Sequence, residues 1–312
     1  MSSPDLEPNN VVVPGSSDVV VPDVGPWSMT GEIIGWTLAS STQRLLASES
    51  AVRLGVDPEG VHQARVATRR LRSDLRTYRS MLDPDWRDEL RRELKWFGRS
   101  LGDARDLDVL DQRIRFHARV LPDDGSSSVA MVLERLQVLR EASRKELKSA
   151  MHEPRHALLI DSLVDASRSP LVLEDVANVR AAKVMGQVMR APWFHLKKIC
   201  DGLDLRSPDA DLHEARIRAK RVRYAAEALA PVFGKPARRF ARRAEALQEV
   251  LGHHQDAVVA IAWLREQADA ASDLRFTAGM LAGIESSVRE DARRAWPGCW
   301  VALRRKRLRF WE

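Results

Sequence analysis

Apolar residues along this chain recur every three or four positions, and no segment alternates convincingly with a period of two. That spacing belongs to helices with one buried face, not to strands. Asp57-Pro58 and Asp83-Pro84 open helices, because proline at the first helical position gives up an N–H that has no partner there. Pro122 to Ser128 reads as a loop, and Ser169-Pro170, Ser207-Pro208 and Gly234-Lys235-Pro236 punctuate the second half. Between these marks the pattern predicts helices over 28–50, 58–82, 86–120, 129–150 and 155–167, then 175–203, 209–232, 236–270 and 274–307. Residues 1–26 carry five prolines, four acids and no base, which reads as a flexible acidic tail. The expectation is an all-α protein.

The pattern also repeats. Val61–Arg72 matches Leu212–Arg223 at an offset of 151 residues, and Leu101–Asp106 matches Leu251–Asp256 at an offset of 150. Two segments in the same order at nearly one offset predict a duplicated unit. The chain is expected to divide into the tail (1–26), a first helical bundle (27–170) and a second (171–312), each of about four helices.

Composition narrows the class. At 44% hydrophobic and 30% charged residues the chain can build a core, which excludes a disordered protein. Two distant cysteines, Cys200 and Cys299, exclude a disulfide scaffold. The longest uncharged apolar run of the helical part, Ala257–Leu264, falls far short of the ~20 residues of a membrane span. No basic, uninterrupted apolar leader opens the chain, so a cytoplasmic protein is expected.

The net charge of +6 is modest, but its placement is not. On a helix advancing about 100° per residue, His62, Arg65, Arg69, Arg72 and Arg76 fall within about 80° of arc. Ala64, Ala67, Leu71, Leu75, Tyr78 and Leu82 occupy the opposite side. His213, Arg216, Lys220 and Arg223 repeat the arc. Glu227 stands where Arg76 does, and Arg218 falls toward the apolar side. Arg70 and Arg221 lie off the arc, at a rim. Solvated helix faces normally mix signs, because like charges one turn apart repel by roughly 0.2–0.5 kcal/mol per pair. The acids between 61 and 76 and between 212 and 223, Asp74 and Glu214, avoid the arc. A one-sign face is the footprint of a polyanion. Rungs ~5–6 Å apart suit a chain of phosphates, which arginine grips bidentately. The arcs hold neither aromatic platforms for unpaired bases nor Asn and Gln for base edges, although nonspecific backbone binding needs only charge.

His62-Gln-Ala-Arg-Val-Ala-Thr-Arg-Arg-Leu-Arg72 followed by Leu101-Gly-Asp-Ala-Arg-Asp106 resembles the CHAD family, the conserved histidine α-helical domain. His213-Glu-Ala-Arg216, Lys220-Arg-Val-Arg-Tyr224 and Leu251-Gly-His-His-Gln-Asp256 carry the second copy. The resemblance covers about residues 28–307. It implies two four-helix bundles related by a pseudo-twofold axis with a basic channel or groove between them. It also implies non-enzymatic binding of inorganic polyphosphate and, in some members, location at polyphosphate granules. No cofactor or metal is implied. The site carried over is His62, Arg65, Arg69, Arg72 and Arg76 with His213, Arg216, Lys220 and Arg223. Lys95, Arg99 and Arg105 join from the following helix. His253 and His254 depart from the first-half motif. The Glu-x-Glu-x-Lys strand of the triphosphate-tunnel domains fused to many members does not occur in this chain, so hydrolysis of that kind is not expected.

Several features point elsewhere. His152-Glu-Pro-Arg-His156 has the letters of a zinc-protease motif, but Pro154 should break the helix that such a motif needs. A metal at His253, His254 and Asp256 would require adjacent side chains pointing about 100° apart. Gly234-Lys235-Pro236 lacks the rest of a phosphate-binding loop. A polyphosphate-processing enzyme would need metal-holding acids, for which Asp103, Asp106 and Asp108 are the candidates, otherwise read as helix-end partners of Arg105. The run Arg304 to Arg309, with Phe310 and Trp311, is left open between an extension of the basic field and a solvated helix end.

Overall fold

The computed structural model describes residues 15–54, 58–121 and 126–312. Residues 1–14 of the expected tail and 122–125 of the expected loop lie outside the described residues. Helices α1 (Thr30–Leu54), α2 (Pro58–Thr77), α3 (Pro84–Ala118), α4 (Ser126–His152) and α5 (Pro154–Arg168) fill the first half. α6 (Glu174–Ala177), α7 (Ala181–Val184), α8 (Arg190–Gly202), α9 (Asp209–Ala228), α10 (Ala230–Ala270) and α11 (Arg275–Leu303) follow. The fold is all-α. Among the described residues only two isolated β-bridges occur, Met29 with Arg180 and Leu82 with Val172.

Local chemistry explains two of the boundaries directly. Asp83 caps α3 by accepting the Trp86 N–H at 2.9 Å, with Pro84 in the first turn. Gly234 takes φ 61° and interrupts α10, so that Pro236 enters a restarted first turn and not a helix interior.

Two expected helices differ. The span 175–203 is not one helix but α6, α7, a 3-10 turn over Met185–Met189 and α8. Long-range pairing overrides local periodicity there: the Thr30 N–H reaches the Val179 carbonyl at 2.9 Å, and the Ala181 N–H reaches Ser28 at 3.0 Å. The helix expected over 274–307 ends at Leu303. Beyond it, Leu308, Phe310 and Trp311 fold back, Trp311 meeting Phe240 edge-on at 4.9 Å. Burial of these apolar groups outweighs continuing an arginine-rich helix into water.

In the first half α1 packs on α2 and α5, α2 on α3, and α3 on α4. In the second, α8 packs on α9, α9 on α10, and α10 on α11. The main core runs through both halves, from Ile33, Leu71 and Phe97 to Val222, Leu247 and Trp296. A smaller cluster joins the far ends of α3 and α4 (Ile114, Leu136) to those of α10 and α11 (Leu264, Leu281). α2 and α9 meet directly. Their apolar sides, Ala64, Ala67, Leu71 and Leu75 on one and Ala215, Ala219 and Val222 on the other, are buried.

Candidate functional site

With those sides turned inward, the polar sides of α2 and α9 converge. They border a cavity of about 420 Å³ lined by His62, Arg65 and Arg69 from α2 and by His213, Arg216 and Lys220 from α9. Arg105, Asp106 and Arg113 of α3 and Gln255 and Asp256 of α10 complete its polar wall, while Val66, Val109, Leu110 and Val259 add an apolar one.

The Leu-Gly-x-x-x-Asp motif has a structural meaning here. Leu101 and Leu251 are core residues. A Cβ on Gly102 would collide with Nη1 of Arg65, and one on Gly252 would stand 3.6 Å from Nε of Arg216. The glycines leave room for each guanidinium to lie across the neighbouring helix. One turn later Asp106 receives Arg65 at 2.9 Å, and Asp256 lies 3.5 Å from Arg216. Two carboxylates therefore enter the cavity from α3 and α10, which corrects the reading of a stripe without acids. It also corrects the assignment of the acids to Arg105. Asp106 serves Arg65, whereas buried Asp108 is held by Arg140 at 2.8 Å and Arg144 at 3.2 Å. Asp103 is exposed. Among the described residues no group of three or more His, Cys, Asp or Glu side chains is placed to hold a metal ion.

Crowded cations depress one another. Burial, then Arg216, Arg69 and Arg65, bring the Lys220 ammonium down to about 7. Burial and Arg105 lower the His62 imidazole, opposed by Glu59. Burial pushes the Asp106 carboxyl up, against Arg65 and with help from Asp256. Nδ1 of His213 and the Nε atoms of Arg69 and Arg216 are buried without a protein hydrogen-bond partner. Each such atom costs roughly 1–3 kcal/mol until something bonds to it.

The remaining expected site residues lie elsewhere. Arg76 faces a second cavity, of about 600 Å³, together with Arg79, Arg91, Arg218 and Arg221 and with His195 of α8. Burial, then Arg221 and Arg91, lower its guanidinium to about 10. Arg72 lies against Gly98, and burial, then Arg91 and Arg99, lower it. Lys95 is exposed on α3 and lines neither cavity. Arg223 is bound by Glu227 and Glu245, each at 2.7 Å. The two expected arcs thus sort into two cation clusters, each drawing on both helices, and the α9 arc is partly neutralised at Arg223, as Glu227 at the Arg76 position implies. Arg218 is not on the core side: it is partly exposed, bonds Glu214 at 2.5 Å and faces α8. Sequence reasoning missed Arg91, Arg113 and His195, which come from α3 and α8 and share no repeated motif. It also missed Tyr224, whose ring meets the Arg69, Arg70 and Arg223 guanidinium carbons at 5.5, 6.0 and 5.7 Å and so links the halves. Arg70 joins Glu227 across the same junction at 2.7 Å.

The zinc-like motif falls apart in space. His152 ends α4, exposed, with Nδ1 at 2.6 Å from the Lys148 carbonyl. His156 belongs to α5, buried edge-on against Phe97 at 4.7 Å, and burial lowers it to about 4. His254 is buried 3.1 Å from Asp209 and ties α10 to the start of α9, while His253 is exposed.

Comparison with known proteins agrees with this architecture. PptA from Streptomyces chartreusis superposes with a TM-score of 0.74 at 22% identity, over 88% of this chain and all of that one. The crystal structure of the CHAD domain from the plant Ricinus communis gives 0.71 at 26% identity, over 92% and 96%. Two uncharacterized proteins from two strains of Mycobacterium tuberculosis are 29% identical over 267 residues, which is 82% of this chain. The chain spans about half the length of these curated relatives. No helix among the described residues is long and apolar enough to cross a membrane. The CHAD domain is associated in general with binding of polyphosphate and triphosphate, and generally without catalysis. Its family profile matches residues 37–265, and with most of the chain so covered this protein belongs to the CHAD domain family.

Proposed function

We propose that this protein captures inorganic polyphosphate without chemical conversion, by clamping the phosphate chain between α2 and α9. One observation carries the reading: cations from both helices converge on one cavity in which buried donors lack partners. Phosphate oxygens would accept from Arg69, Arg216 and His213 and would displace Asp106 and Asp256 from their arginines. A polymer would exploit both cation clusters through tethering, so long chains should bind more tightly than triphosphate or orthophosphate. Binding should weaken steeply with salt as condensed counterions are released. Location at polyphosphate granules, and the division into bundles 27–170 and 171–312, belong to the same proposal.

The test is binding of length-fractionated polyphosphate to the wild type and to Arg69→Glu and Lys220→Glu. The expected result is loss of binding at the central cavity in both variants. Competition by DNA or RNA at physiological salt that matches polyphosphate would favour a nucleic-acid binder. Phosphate release with magnesium or manganese would favour an enzyme.

A further inference from the structure

The start of α10 carries charge that the central cavity does not use. Lys235, Arg238, Arg239 and Arg242, all exposed, line a cavity of about 550 Å³ with Arg307 from the C-terminal segment. Pro236 and Leu308 complete the lining, which contains no carboxylate. Among the described residues none of these five cations has an ion pair; Glu245, one turn along α10 from Arg242, is engaged with Arg223, and Glu312 of the C-terminal segment with Arg309. The crowding runs against helix physics twice. Pairs 235/239, 238/242 and 239/242 repel at helical spacing. The break at Gly234 also makes this a fresh helix beginning, where Lys235 and Arg238 in the first turn oppose the macrodipole by about 0.3–1 kcal/mol each. Arg307 is brought there by the aromatic fold-back, since Leu308 is buried and Phe310 packs on Phe233 at 5.3 Å. Of the basic run that the helix pattern left undecided, Arg307 is therefore placed at this cavity. Along α10, Arg242 and Asp256 are about 20 Å apart, so this cavity is separate from the central one.

We propose that Lys235, Arg238, Arg239, Arg242 and Arg307 form a second anion site that takes a segment of phosphate chain. It rests on the phosphate chain as ligand but not on the central cavity as its place. Exposed guanidinium groups from two segments fit a flexible phosphate run, and the lining has no aromatic ring for a base to stack on.

The experiment titrates the full chain with a short, length-fractionated linear polyphosphate and reads stoichiometry. The variants are Arg238→Glu with Arg242→Glu, and separately Arg307→Glu, alongside Arg69→Glu with Lys220→Glu. All three patch positions are exposed and unpaired, so helix content by circular dichroism should stay at the wild-type level. The wild type should bind two chains per protein. Each patch variant should bind one, with the remaining affinity within about twofold of wild type, and a combined patch and central variant should bind none. A wild-type stoichiometry of one, or patch variants that keep both stoichiometry and affinity, would overturn the proposal. So would patch variants that lose a DNA oligonucleotide while keeping polyphosphate. If instead the central variant keeps full stoichiometry and the patch variants lose one chain, the central reading fails and this site stands.

Discussion

α2 and α9 carry nearly the same motif, yet they present different electrostatics. At the shared positions the parallel is close: Arg65 reaches over Gly102 to Asp106, and Arg216 reaches over Gly252 to Asp256. Two turns further they part. Arg72 is crowded by Arg91 and Arg99, whereas Arg223 is held by two carboxylates. Arg76 crowds against Arg221 and Arg91, whereas its counterpart, Glu227, binds Arg70 and Arg223. Asp74 is buried without a hydrogen bond, and Ala225 stands at the matching place. A repeated motif thus fixes where a cation points, and acids on its own helix and on neighbouring helices decide whether it remains available.

Charge reversal should expose that difference most strongly. Lys220→Glu places a carboxylate among donors each worth roughly 1.5–3 kcal/mol to a bound anion, so polyphosphate affinity should drop on the order of 100-fold or more. Arg223→Ala removes a cation that is already paired and should change affinity less than about fivefold in the same titration. Equal losses would mean that ion pairing does not set availability.

Asp74 gives the next largest effect, on stability. Burial raises its carboxyl from the usual 3.8 to about 7, against Arg70. Because the folded value lies above the unfolded one, the stability is fully present below pH 3.8 and is lost as pH rises through 7. The loss is at most on the order of 4 kcal/mol. Asp74→Asn should therefore unfold at higher denaturant than wild type at pH 8, and the gap should close at pH 4. A gap that does not vary with pH would remove the buried charge from the account.

The glycines sharpen the comparison further. Gly102→Ala would drive Arg65 from its seat and off Asp106, lowering affinity about tenfold, while helix propensity favours alanine by about 1 kcal/mol. Gly252→Ala meets Arg216 at ordinary contact distance and should leave binding nearly unchanged. Matching effects would show that the two seats are alike after all.

The pH profile is the gentlest probe. Lys220 loses its proton near pH 7 in the free protein, and a bound anion raises that value. Binding above pH 7 must therefore take up a proton, so affinity should rise as pH falls from 8 to 6, by at most about tenfold per unit. Protonation of His62 strengthens the trend toward the acid end, since it too starts below its ordinary value. Lys220→Arg should flatten the profile between pH 7 and 8.

How much of this was legible in the residues follows from periodicity. The apolar faces of α2 and α9 set which side carries His62, Arg65, Arg69, His213, Arg216 and Lys220, and those six share one cavity. Proline and glycine marked the starts of α2, α3 and α5 and the break in α10. Periodicity within one helix holds no information about its neighbours. It therefore showed neither Glu245 on α10 neutralising Arg223 nor α8 drawing Arg218 out of the core side. The pairing of Val179 and Ala181 with Ser28 and Thr30, which divides the span expected as one helix, is likewise a contact between distant segments.

The most direct test is calorimetric titration with long-chain polyphosphate and with orthophosphate, for the wild type and for Arg69→Glu with Lys220→Glu. The account predicts tight, salt-sensitive binding of the long chain, weak binding of orthophosphate, and loss of the long-chain signal from the central cavity in the variant. Equal affinity for the two ligands, or a variant indistinguishable from wild type, would contradict it.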